Sequence, residues 1–122
     1  VSKMAARAGW TLQVFDFHEI REAFAAQVLA TRKAGEDPAF CKTHLGKDQP
    51  LGSIDRAKLN VKGSSIAVGH PFAATGARII ANLAKLLSVH GGRGLISVCT
   101  AGGMGVAAIL ASAKSAEMRT AA

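Results

Sequence analysis

At 122 residues the chain has room for one small domain and not comfortably for two. Its 49% hydrophobic and 19% charged residues exclude a disordered tail, and no apolar run approaches the ~20 residues of a membrane-spanning helix. The net charge of +7 favours an anionic partner, yet the basic residues are scattered, without a run or an aromatic-interleaved stripe, so nucleic acid is not expected. Two distant cysteines, Cys41 and Cys99, suggest neither a disulfide framework nor a zinc site, and no metal is expected. With no signal peptide or transit segment apparent, a cytoplasmic location is expected.

The first predicted element is a short helix over residues 3–9, stopped at Gly9. Leu12 to Phe17 (LQVFDF) is rich in β-formers and reads as a strand. From Glu19 to Lys33 apolar residues recur at helical spacing, with acids near the start and Arg32-Lys33 at the end, as the helix dipole favours. Gly35 ends that helix, and residues 35–58, with two of the three prolines and little periodicity, read as a loop. Ser65 to Val68 (SIAV) suggests a short buried strand. A second long helix runs from Thr75 to His90, with Ile79, Leu83, Leu86 and Leu87 as its apolar stripe and Gly91-Gly92 beyond its end. Gly94 to Cys99 and Val106 to Leu110 read as buried strands. Only a few glycine-rich residues separate them, too few for a crossover helix, so they should pair antiparallel. The expected fold is α/β, a layered mixed sheet with packed helices.

Three segments hold candidate chemistry. His70, fixed between Gly69 and Pro71, is either a base aimed into a cleft or a histidine that only bonds its own turn. Cys99 precedes the turn Thr100-Ala101-Gly102-Gly103-Met104-Gly105, whose amides near Ala101 and Gly102 could meet an oxyanion. It could equally be a small buried hydrophobe in its strand. His18 to Gln27 gathers polar residues at a strand-to-helix junction, which a solvated first helical turn would also explain.

Together these segments resemble the thiolase family over roughly residues 5–112. GSSIAVGHPFAATGAR is similar to the family's GGSIAxGHPxxATGAR block, CTAGGMG to its C-x-x-GG-x-G block, and EAFAAQ to its (N/H)-E-A-F-A-x-Q helix start. The 29 residues from His70 to Cys99 also match the family's spacing. HPFAAT and the AFAAQ context look most like the fatty-acid-oxidation branch. The resemblance implies the C-terminal portion of a 3-ketoacyl-CoA thiolase, one domain over residues 1–122 without the N-terminal half that carries the nucleophilic cysteine. It implies His70 as the residue that activates that nucleophile and Cys99 as the acid/base toward the acetyl-CoA carbanion. Coenzyme A enters as substrate with no resident cofactor, and the partners implied are the acyl-CoA, the N-terminal half or a subunit supplying it, and a second copy of the chain. The alternative is a non-catalytic thiolase-fold remnant acting as a binding or assembly module.

This sequence departs from the family pattern before Glu22-Ala23-Phe24, where the fatty-acid-oxidation branch has a histidine and this chain has Arg21. Either three residues are inserted and His18 is displaced, or Arg21 takes the histidine's place; the count from Thr11 to Phe24 favours Arg21. Both residues are therefore candidates for orienting the substrate. Ser64, where the family has a second glycine, is a milder change.

Overall fold

The structure is a computed structural model that describes residues 1–113. Residues 114–122 of the expected domain lie outside the described residues. The chain runs through α1 (Ser2–Ala8), β1 (Phe17–Ile20), α2 (Ala25–Glu36), α3 (Pro38–Leu45), a helical turn α4 (Ser65–Val68), α5 (Ala73–His90), β2 (Arg93–Cys99) and β3 (Gly105–Ala111). The three described strands form one sheet in the order β1-β2-β3. β1 runs parallel to β2, with Phe17 opposite Gly94 and Ile20 opposite Ser97. β3 returns antiparallel to β2, with Cys99 opposite Gly105. The sheet is mixed, as the short glycine-rich connection requires.

Successive residues of β2 face opposite ways, and each face collects its own core. Leu95 packs with Leu12, Phe15, Ile20, Val28 and Ile54, which brings the N-terminal segment and α2 onto one side. Ile96 packs with Ile79, Leu83 and Leu87 of α5 on the other. The i, i+4, i+7, i+8 spacing of Ile79, Leu83, Leu86 and Leu87 puts all four on one stripe of α5, and all four are buried. Gly94 lets α5 approach: a Cβ there would collide with both methyl groups of Leu83.

Four predicted elements differ. Leu12–Val14 is a 3₁₀ turn and the strand begins only at Phe17. Leu12 and Phe15 are both buried at a spacing of three, which a 3₁₀ turn satisfies and an alternating strand cannot. The following helix starts at Ala25, because Glu19 and Ile20 are paired with Ile96 and Ser97 of β2, and it continues through Gly35 to Glu36. The loop expected over residues 35–58 contains α3, whose start is fixed by Asp37 and Pro38. The Asp37 carboxylate accepts from the backbone N–H groups of Ala39 at 2.8 Å and Phe40 at 3.3 Å. SIAV forms α4 rather than a buried strand, with Ile66 62% and Val68 58% exposed. Its four residues pair with none of the described strands and instead carry the chain up to Gly69 and His70.

β1 buries two ionisable side chains. His18 and Glu19 are nearly fully enclosed, and neither His18 Nδ1 nor Glu19 Oε1 has a hydrogen-bond partner among the described residues. Burial raises the Glu19 pKa from 4.5 to about 7, with the Arg78 charge opposing and Glu22 adding. Burial, aided by Lys58 and opposed by a backbone bond at Leu12, lowers the His18 pKa from 6.5 to about 4. A folded-state pKa above the unfolded value makes Glu19 cost stability as pH rises from 4.5 to about 7. A folded-state pKa below the unfolded value makes His18 cost stability as pH falls from 6.5 to about 4. The two slopes oppose each other between 4.5 and 6.5, where stability should be greatest with respect to this pair. Glu19→Gln, which imitates the protonated acid, should abolish the decline toward neutral pH in denaturant titrations at several pH values. An unchanged decline in the variant would assign it to another group.

Candidate active site

Three loops converge beyond the end of the sheet. The first follows β1 and presents Arg21, whose backbone N–H still bonds Ser97 O at 2.9 Å, so the sheet register sets its position. The second joins α4 to α5 and presents His70. The third is the glycine-rich turn after β2, which begins at Cys99 and Thr100. They enclose a cleft of about 610 Å³ whose wall includes Arg21, Ala23, His70, Phe72, Cys99 and Ala101.

Arg21 connects the other two candidate side chains, His70 and Cys99. Its Nη1 donates to the Cys99 carbonyl at 3.1 Å and to Cys99 Sγ at 3.1 Å, and its Nε donates toward His70 Nδ1 at 3.4 Å. His70 Nδ1 also lies 2.8 Å from the hydroxyl of Thr75, a buried residue of the first turn of α5. Cys99 Sγ lies 4.0 Å from Gln27 Oε1 on α2. Desolvation, then the guanidinium charges of Arg21 and Arg78, hold the His70 pKa below its ordinary value of 6.5, which favours the neutral ring near neutral pH.

The first two loops are tied down by the side chains around them. Arg78 donates to the carbonyl of Gly69 at 2.8 Å and to Ser65 Oγ at 3.3 Å, which holds the chain on the near side of His70. On the far side Phe72 has φ 35°, an unusual value for a residue with a side chain, and its ring meets the His70 ring edge-on at 5.4 Å. Asn60 completes the edge of β1 with its side chain: Oδ1 accepts from Ile20 N–H at 2.8 Å and Nδ2 donates to Ile20 C=O at 2.9 Å. The same Nδ2 donates to Glu22 Oε1 at 3.0 Å, while Glu22 Oε2 accepts from Ile66 N–H at 3.1 Å. Glu22 and Asn60 thereby join the loop bearing Arg21 to the helical turn that leads to His70.

The structure thus brings together Arg21, His70, Cys99 and Ala101 of the residues singled out in the sequence. Gly102 stands one residue beyond Ala101 in a left-handed conformation, φ 75°, and is not part of the cleft wall. His18 is elsewhere, enclosed at 2% exposure in β1 and lining a separate cavity with Phe15 and Lys58. The His70 turn follows a helical turn and not a strand end, and His70 itself is exposed. Thr75, Arg78, Glu22 and Asn60 were not singled out. The first three lie inside the quoted motif blocks and could have been found there; Asn60, forty residues from its partner Ile20, carries no local signal. Among the described residues no group of three or more His, Cys, Asp or Glu side chains could hold a metal ion, and no helix is long and apolar enough to cross a membrane.

The mixed α/β layer thus brings a cysteine at a strand end, a histidine on a tight turn and the start of a glycine-rich turn to one cleft. The family described as thiolase, C-terminal domain, matches residues 1–112. The chain belongs to the thiolase family, in its C-terminal domain. The 3-ketoacyl-CoA thiolase of Alteromonas mediterranea is 50% identical over 105 residues, covering 85% of this chain and 24% of the relative. That of Pectobacterium atrosepticum is 50% identical over 106 residues, covering 86% and 24%. Among solved structures, human mitochondrial 3-ketoacyl-CoA thiolase in complex with CoA superposes with a TM-score of 0.72 at 35% identity, over 91% of this chain and 24% of that one. An acetyl-CoA acetyltransferase from Syntrophomonas wolfei gives 0.72 at 35% identity, over 90% and 25%. The chain spans about a quarter of the length of the relatives it matches.

Proposed function

We propose that this chain supplies the acid/base side of a 3-ketoacyl-CoA thiolase centre of fatty-acid β-oxidation, with the nucleophilic cysteine coming from the part of a thiolase that it does not span. The observation that carries the reading is the contact of one guanidinium with both Cys99 Sγ and His70 across an open cleft. In this reading the 3-ketoacyl-CoA is cleaved between its second and third carbons, leaving an acetyl-CoA enolate. Cys99 gives its thiol proton to the enolate carbon: the S–H bond breaks, a C–H bond forms, the enolate oxygen re-forms its carbonyl, and the negative charge passes to the Cys99 thiolate. His70 serves the nucleophile and the oxyanion, and the amides near Ala101 and Gly102 add donors. Coenzyme A is a substrate, held by residues that this cleft does not identify. The assembled enzyme is a homo-oligomer and works in the cytoplasm.

The second reading, a non-catalytic binding module, is favoured by one observation: a permanent cation at Arg21 where the fatty-acid-oxidation branch has a neutral imidazole. Thiolysis of acetoacetyl-CoA and of a longer 3-ketoacyl-CoA, by the polypeptide that joins this domain to a nucleophile-bearing half, separates the two. A CoA-dependent rate that His70→Ala abolishes is expected; CoA binding without turnover would leave only the module.

A further inference from the structure

We infer that Arg21 is a positioning residue that fixes the resting proton of His70 on Nε2, so that the histidine first meets the cleft as a hydrogen-bond donor. Nδ1 is the ring nitrogen held by side-chain partners. His70 Nδ1 faces two partners, Arg21 Nε at 3.4 Å and Thr75 Oγ1 at 2.8 Å. The arginine Nε–H is an obligatory donor: it has no lone pair to offer and does not give up its proton in a protein. The Thr75 hydroxyl can rotate to donate or to accept. Nδ1 must therefore bring its lone pair to Arg21, and Thr75 follows by donating its own hydrogen. A neutral imidazole with an unprotonated Nδ1 carries its hydrogen on Nε2.

The same geometry without Arg21 allows the opposite outcome. Nδ1–H would donate to Thr75 Oγ1, and Nε2 would be left with a free lone pair, the form in which a histidine takes a proton. One side chain thus selects between a base and a donor at an otherwise unchanged turn. Arg21 is itself rigidly placed: its backbone N–H continues the β1–β2 ladder, and Nη1 is spent on the carbonyl and Sγ of Cys99. The charged groups that face the ring are Arg21 from the loop after β1 and Arg78 from α5, both cations, and both oppose a second proton on it. A donor at Nε2 suits a developing oxyanion on a thioester carbonyl, which leaves proton exchange at carbon to Cys99.

The identity of that oxygen rests on the thiolase reading, whereas the tautomer is a property of the folded chain. The two are therefore tested apart. In the ¹⁵N-labelled chain at about pH 8, above the ordinary histidine value, imidazole ¹H–¹⁵N long-range correlations report which ring nitrogen carries hydrogen. The expected spectrum shows His70 protonated on Nε2 alone, kept there in Thr75→Val and joined by an Nδ1-protonated population in Arg21→Leu. Protonation on Nδ1 in the unaltered chain, an unchanged tautomer in Arg21→Leu, or a switch caused by Thr75→Val each overturns the inference. Should Arg21→Leu fail to fold, the unaltered chain and Thr75→Val still decide. Absence of thiolysis in the joined polypeptide would remove the thiolase reading and leave these spectra as they are.

Discussion

Cys99→Ala should lower 3-ketoacyl-CoA thiolysis about 10²–10⁴-fold in the polypeptide that carries the nucleophile, the range a positioned acid/base group contributes. The substitution removes only the sulfur, because Cys99 is the last residue of β2 and its backbone pairs with Gly105 whatever its side chain. Its carbonyl also keeps the bond from Arg21 Nη1 at 3.1 Å. The thiol is half-buried at the cleft wall, so the cavity left by alanine opens toward solvent and adds little strain. Thermal midpoint should therefore stay close to that of the parent while the rate collapses. The informative pairing is kcat with the unfolding midpoint: a parallel loss of both assigns Cys99 to packing, and an undiminished kcat removes it from the chemistry.

Leu83→Ala should destabilise the fold by about 2–5 kcal/mol, the range for truncating a buried leucine. Leu83 is 0% exposed and stands at the centre of the layer between α5 and the sheet, against Gly94 of β2. Gly94 has no side chain to move into the space, so any filling must come from shifts of Ile79, Leu87 or Ile96, which share the cluster. The converse experiment, Gly94→Ala, adds a methyl where both Leu83 methyl groups already lie and should cost about 1–3 kcal/mol by overpacking. In the double variant Leu83→Ala/Gly94→Ala part of each loss should be recovered, since the new methyl occupies the space vacated. Guanidinium unfolding measures all three. Strict additivity would show that the two positions do not share the contact.

The elements that matter for the site were legible to different degrees. α5 and β2 could be placed within about two residues, because a long amphipathic helix ended by Gly91-Gly92 and a β-branched run ended by a glycine-rich turn are strong local patterns. The start of α2 could not, since Glu19 to Arg21 have helical spacing but are claimed by hydrogen bonds to β2, more than seventy residues away. α4 differs from the expected strand for a related reason: four apolar-leaning residues fit a strand or a helical turn equally, and no described strand lies alongside to pair with them.

What the sequence determined by itself was the kinship, through two motif blocks and the fixed interval between them, and with it the candidacy of His70 and Cys99. Local chemistry also determined the caps, as at Asp37-Pro38, where side chain and backbone act within three residues of each other. The tertiary structure alone decided between His18 and Arg21. They are three residues apart on one segment, and both are polar enough for a site. The pairing of β1 with β2 encloses the first and turns the second toward Cys99 and His70, because strand register fixes which side chains reach the end of the sheet.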